Sequence, residues 1–139
     1  MLRAVLDANV SISAIVQPAG TPGRLVELFL RDASFEVVLS TAIVDEVLRA
    51  MAYPRVRKLL RGADAQLWFE DLVVLADLVA GTQQLSGVCK DPDDDKYVAA
   101  ALEGRATYVV TGDRAFLDLR EHAGVGIVSP RAFLDLLGS

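Results

Sequence analysis

The sequence has 139 residues, 53% of them hydrophobic, with a formal net charge of −5 and a single cysteine. That length fits a single domain over 1–139 with a buried core and excludes a second domain of ordinary size. The lone Cys89 excludes an internal disulfide, and the negative balance argues against holding nucleic acid by bulk electrostatics.

The opening "MLRAVLDANV" reads as a strand and turn. It lacks the basic start and apolar run of a signal peptide, so with a free thiol the expected location is the cytoplasm. Arg3 to Leu6 is the predicted first strand, with Asp7 at its end, and Asn9 to Val16 has helical apolar spacing that stops at "QPAGTPG". Pro22 suits the first turn of a helix over Gly23 to Arg31. A second strand covers Glu36 to Leu39, and Ser40 can cap a helix over Thr41 to Met51. Pro54 then punctuates, and a short basic segment leads to Gly62.

Residues 63–80, "ADAQLWFEDLVVLADLVA", are apolar around much of a helical circumference and predict a long helix. It is too interrupted by Glu70, Asp71 and Asp77 to be a membrane span. A third short strand is expected within 82–88. Then come helix 96–103, strand 107–110, a short helix from about 114, strand 125–128 and helix 131–137. Strands alternating with helices imply a three-layer α/β/α domain with a central, mostly parallel sheet of four or five strands. Sites in such sheets form at the carboxyl ends of the strands, which singles out Asp7 and Asp113.

Taken one at a time, the acids have ordinary readings. Asp7, Asp113 and Asp95 can each cap a helix, and Asp93 or Asp94 could cap helix 96–103 equally well. Glu46 flanks the apolar stripe Ile43, Val44, Val47, Leu48 and Met51, between Ala42 and Ala50, and a lone helix glutamate usually pairs with a neighbour such as Arg49. Their combination carries more. Asp7 and Asp113 end strands, Asp95 opens a helix after a third strand, and Glu46 flanks a helix after a second, so a parallel sheet gathers them at one edge. Clustered carboxylates repel unless a cation joins them. Hard divalent ions such as Mg²⁺ and Mn²⁺ prefer all-oxygen sites, where they activate water for phosphodiester hydrolysis.

Other chemistries fail on detail. "DPDDD" places Asp91, Asp93 and Asp95 at calcium-loop spacing, but Lys96 stands where glycine is needed and Leu102 where glutamate is needed. No glycine-rich phosphate loop with its lysine is present. One cysteine and one histidine, His122 in the connection "REHAGVG", cannot make a zinc site. Cys89 has no evident base near it in sequence. A receiver-like signalling domain wants a paired acid at the first strand and a lysine after the last, where Asn9 and "SPR" stand instead.

Four stretches, "VLDANVSISA", "STAIVDEVLR", "DPDDDKYVAAALEG" and "YVVTGDRAFL", occur in an order and spacing that resemble the PIN-domain nucleases over nearly the whole chain. The resemblance is greatest to the VapC-like toxin components of toxin–antitoxin pairs. It implies a Mg²⁺- or Mn²⁺-dependent endoribonuclease whose acids are Asp7, Glu46, Asp95 and Asp113. The family's helix pattern selects Asp95 over its neighbours, with Asp91 and Asp94 as assistants and Asn9, Ser11 and Thr111 as polar support. It also implies a cognate antitoxin that blocks the site, and a homodimer or higher oligomer. The alternative is a non-catalytic PIN-like module that binds RNA or protein.

The net charge departs from what RNA cleavage needs, so substrate contact is expected from local basic residues. These are Arg49, Arg55, Arg57, Lys58 and Arg61 around Tyr53, together with Arg24 and Arg114. Helix 63–80 offers Leu67, Trp68, Phe69, Leu72 and Leu75, more apolar surface than one packing face uses, which suits a symmetric contact.

Overall fold

The computed structural model describes residues 1–60 and 64–138. Strand β1 (Arg3–Leu6) leads through Asp7 into α1 (Ala8–Val16), and α2 (Thr21–Asp32) follows with Pro22 in its first turn. Gly23 sits there because a Cβ would lie 2.2 Å from the Pro18 carbonyl oxygen. β2 (Glu36–Ser40) runs directly into α3 (Thr41–Ala52), whose start is capped by the Ser40 hydroxyl accepting from the Ile43 N–H at 3.4 Å. α4 (Pro54–Leu60), α5 (Ala65–Leu75) and β3 (Asp77–Val79) complete the first half. A single helical turn, Pro92–Asp94, then leads into α6 (Asp95–Glu103). β4 (Tyr108–Val110), α7 (Arg114–Leu117), β5 (Glu121–His122), β6 (Val125–Val128) and α8 (Pro130–Leu137) close the domain.

Among the described residues the sheet has six strands in the order β3-β2-β1-β4-β6-β5. All pairs are parallel except β5 with β6. Burial on both faces explains why the central strands are almost continuously apolar: Ala4, Val5, Leu6, Val37, Val38, Leu39, Val109 and Val110 are all at most 1% exposed. α6 covers β1, β2, β4 and β6, while α1 packs on both α2 and α3, with α5 against α3 and α8 against α2. The fold class is the expected α/β one, with helices on both sides of a mostly parallel sheet.

Two expectations need correction. The long helix ends at Leu75, and the third strand is Asp77–Val79 rather than a segment within 82–88. The Arg3 guanidinium binds Asp77 at 2.7 Å and also Glu36, pinning the new strand beside β2. The stretch after it forms no strand because its backbone donors go elsewhere: Gly81 and Gln83 donate to the Glu103 carboxylate at 3.1 and 2.8 Å. The expected start of that helix at residue 63 lies outside the described residues, as do Arg61 and Gly62. The second correction is β5. Ala123 and Gly124 both take positive φ (51° and 86°), making a tight hairpin turn between Glu121–His122 and β6.

No helix among the described residues is long and apolar enough to cross a membrane.

Candidate active site: an acidic cleft at the strand ends

Leu6 pairs with Val110 across β1 and β4, so the residues that follow, Asp7 and Thr111, meet where the two strands end. The Thr111 hydroxyl donates to Asp7 Oδ2 at 2.7 Å and accepts from the Asp113 N–H at 3.1 Å, tying both segments together. Asp7 also caps α1, its Oδ1 accepting from the Asn9 N–H at 3.1 Å. Asp113 caps α7 in the same manner, through the Ala115 N–H at 3.1 Å. The capping readings and the site reading therefore coexist: a cap uses one carboxylate oxygen and fixes where the other points.

Glu46 reaches the same edge from α3. Its Oε1 accepts from Lys96 Nζ at 2.7 Å, and its Oε2 accepts from the Tyr97 hydroxyl. That hydroxyl in turn accepts from the Ala8 N–H at 3.2 Å, so Tyr97 joins α6, α1 and α3. Lys96 and Tyr97 did not stand out in the sequence as site residues. Their signal was position: they follow the acidic run in the first turn of α6, on the edge where the strands end.

A cleft of about 410 Å³ opens here. Asp7, Asn9, Glu46, Asp91, Asp93, Asp94 and Asp113 line it, with Lys96 and Tyr97 beside Glu46 and with Arg49 and Tyr53 on the α3 side. Ser11 and Thr111 are buried and do not line it.

The side chains of the acidic run part between two places. Asp95 does not line this cleft. It is 5% exposed, and its Oδ1 accepts from the Cys89 N–H at 2.7 Å, bracing the loop before the run. It borders a separate hollow with Ser40, Ala42 and Leu85. Asp94, one residue earlier, faces the cleft instead. Asp91 caps the turn, accepting from the Asp93 N–H at 3.0 Å.

Electrostatics mark the same groups. Burial pushes the Asp7 carboxyl above its usual range, and the Asp113 charge adds to this, against the hydrogen bonds from Thr111 and Asn9. Asp94 is pushed up to about 6, first by burial and then by the charges of Asp7, Asp91 and Asp113, with Lys96 opposing. The Cys89 thiol is pushed up to about 12 by burial and by Asp95, which fits an inert thiol.

For Asp94 the folded-state value lies above the unfolded one, so its ionisation costs stability as pH rises from about 4 to above about 6. Because Asp94 is partly exposed, solvent screening holds this cost to about 1 kcal/mol. In EDTA at pH 8, Asp94→Asn is therefore expected to melt about 3 °C above the wild type. The gap should close by pH 4, which thermal denaturation at the two pH values would check.

Among the described residues no three His, Cys, Asp or Glu side chains converge closely enough to hold a metal ion as they stand. The donor chemistry nevertheless suits a hard divalent cation. All the acidic groups offer oxygen, and burial and mutual repulsion leave two of them poorly compensated.

The basic residues are less concentrated than their spacing suggested. Arg49 lines the cleft. Arg55, Arg57 and Lys58 are exposed on α4, where Arg57 borders a different hollow with Leu48 and Met51. Arg24 and Arg114 are exposed on α2 and α7 and do not line the cleft.

The uncharacterized protein MJ1680 of Methanocaldococcus jannaschii is 28% identical over 120 residues, covering 86% of this chain and 76% of that protein. The crystal structure of VapBC2 from Rickettsia felis bound to a DNA fragment from their promoter superposes with a TM-score of 0.60. That match covers 92% of this chain and 98% of that one at 12% identity, a likeness of fold. The family profile described as "PIN domain" matches residues 3–115, which span every carboxylate of the cleft, and the chain belongs to the PIN-domain family.

Proposed function

We propose that this protein is a Mg²⁺- or Mn²⁺-dependent endoribonuclease and the toxin component of a VapC-like toxin–antitoxin pair. The observation that carries this reading is the meeting of Asp7, Glu46, Asp94 and Asp113 on one cleft of a PIN domain. Asp94 takes the place first expected of Asp95, because it faces the cleft while Asp95 braces the Cys89 loop.

In this reading those four acids would hold the ion, with Asp91 assisting. When bound, the ion supplies compensating charge and lowers the pKa of water at the site. The chain's own residues do the positioning. Thr111 fixes the Asp7 carboxylate and the start of the Asp113 turn. Tyr97 fixes Glu46 relative to α1. Arg49 and Tyr53, at the cleft wall, offer a phosphate contact and a stacking face for single-stranded RNA. Arg55, Arg57 and Lys58 extend the basic surface along α4, and Arg24 and Arg114 contribute at longer range.

Protein partners are supported by exposed apolar side chains on and beside α5. Leu67, Val74, Leu75 and Leu78 are 58%, 80%, 58% and 52% exposed, while Phe69 and Leu72 are taken into the core. An antitoxin and a second copy of this chain are the proposed occupants. The alternative of a non-catalytic binding module is favoured only by the engagement of Glu46 with Lys96. It predicts RNA binding without cleavage.

The chemistry of the RNA ends tests the reading. Hydrolysis by water at a divalent ion leaves no 2′,3′-cyclic phosphate, whereas a metal-independent ribonuclease that uses the 2′-hydroxyl does. Mass spectrometry of products formed with Mn²⁺ should show linear phosphate and hydroxyl ends only. Predominantly cyclic ends would rule out the proposed chemistry.

A further inference from the structure

Lys96 is the basic side chain whose ammonium rests on a cleft carboxylate. Nζ lies 2.7 Å from Glu46 Oε1, and the two side chains are only 22% and 29% exposed. The same ammonium sits 5.2 Å from the centroid of the Tyr97 ring, and the Tyr97 hydroxyl occupies the other Glu46 oxygen. Both Glu46 oxygens are thus held by consecutive residues of α6. Arg49, the other cation on the cleft wall, turns its Nε to the Asp45 carbonyl at 3.4 Å. Six acids face the cleft against these two cations, so a single ammonium cannot balance the site, and a divalent ion would find Glu46 already engaged.

Resting on the metal-dependent reading above, we propose that Lys96 is the resident counter-cation of the cleft and competes with a divalent ion for Glu46. Partly desolvated opposite charges attract strongly, and breaking the pair has a cost that metal binding must meet. Lys96 is a positioning residue here: it acts through Glu46, holding that carboxylate at the cleft while no metal is bound, and it weakens apparent metal affinity in doing so.

The test is Mn²⁺ titration of the full chain by isothermal calorimetry at pH 7.5, comparing wild type, Lys96→Met, Lys96→Arg, Glu46→Gln, and Lys96→Met combined with Glu46→Gln. Lys96→Met should tighten the Mn²⁺ Kd about tenfold, the effect of losing one competing charge pair. Lys96→Arg keeps a cation and should stay within about threefold of wild type. In the Glu46→Gln background, removing Lys96 should leave the Kd unchanged, because the contested carboxylate is gone. Should Lys96→Met fail to fold by circular dichroism, Lys96→Gln serves in its place. Mn²⁺ binding by wild type with an unchanged or weaker Kd in the variant overturns the role of Lys96 and leaves the metal reading standing. Binding by neither protein overturns both. Binding gained only on removing Lys96 supports the competition most strongly.

Discussion

Asp94→Asn is expected to lower Mn²⁺-dependent RNA cleavage by about a hundredfold or more, whereas Asp95→Asn is expected to stay within a few-fold of wild type. The two residues are adjacent and share a charge, so only their surroundings separate them. Asp94 is partly exposed at the cleft, and its carboxyl feels Asp7, Asp91 and Asp113. Asp95 points away, buried, with the Cys89 N–H on its Oδ1. An asparagine at 95 keeps an acceptor for that N–H. Alanine at 95 strands it, at a cost of about 1–3 kcal/mol, and should lower the melting temperature by several degrees. Single-turnover cleavage and thermal melting of the three variants check the assignment. Loss of cleavage in Asp95→Asn with retention in Asp94→Asn would restore Asp95 to the site.

Asp7→Asn is expected to have the largest effect, a loss of about a thousandfold in cleavage without loss of fold. Asp7 is 5% exposed at the centre of the strand ends. Its carboxylate is fixed by Thr111 and by the α1 N-terminus, and its charge is disfavoured by burial. Replacing it with a neutral isostere removes charge that a divalent ion would need, while Thr111 and the Asn9 N–H keep a side chain of the same shape to bond. Cleavage and melting curves on one preparation separate the two effects.

How far the sequence carries can be read from particular residues. Asp7 and Asp113 were legible because a polar residue that ends an apolar strand in a parallel sheet must emerge at the site edge, and the register of Leu6 with Val110 brings them together. Ser40 as a cap was legible for the same local reason. The choice between Asp94 and Asp95 was not, since a one-residue step at a helix start turns a side chain by about 100°. What separates their surroundings is the bond from the Cys89 N–H to Asp95. β3 was misplaced because "VVLADLVA" is equally apolar as helix or strand, and the arbiter, Arg3, lies 74 residues away in sequence. β5 was missed because two residues carry no periodicity. Tyr97 went unnoticed because it is a core aromatic, buried to 1%, that spends only its hydroxyl on Glu46.

If the carboxylates of this cleft cut RNA with a divalent ion, removing either the ion or Asp7 must abolish cleavage. The most direct measurement incubates labelled single-stranded RNA with wild type and Asp7→Asn purified side by side, with Mn²⁺ or with EDTA. Cleavage is expected from wild type with Mn²⁺, none with EDTA, and none above background from Asp7→Asn in either buffer. Equal cleavage by the two proteins, or cleavage that persists in EDTA, would contradict it.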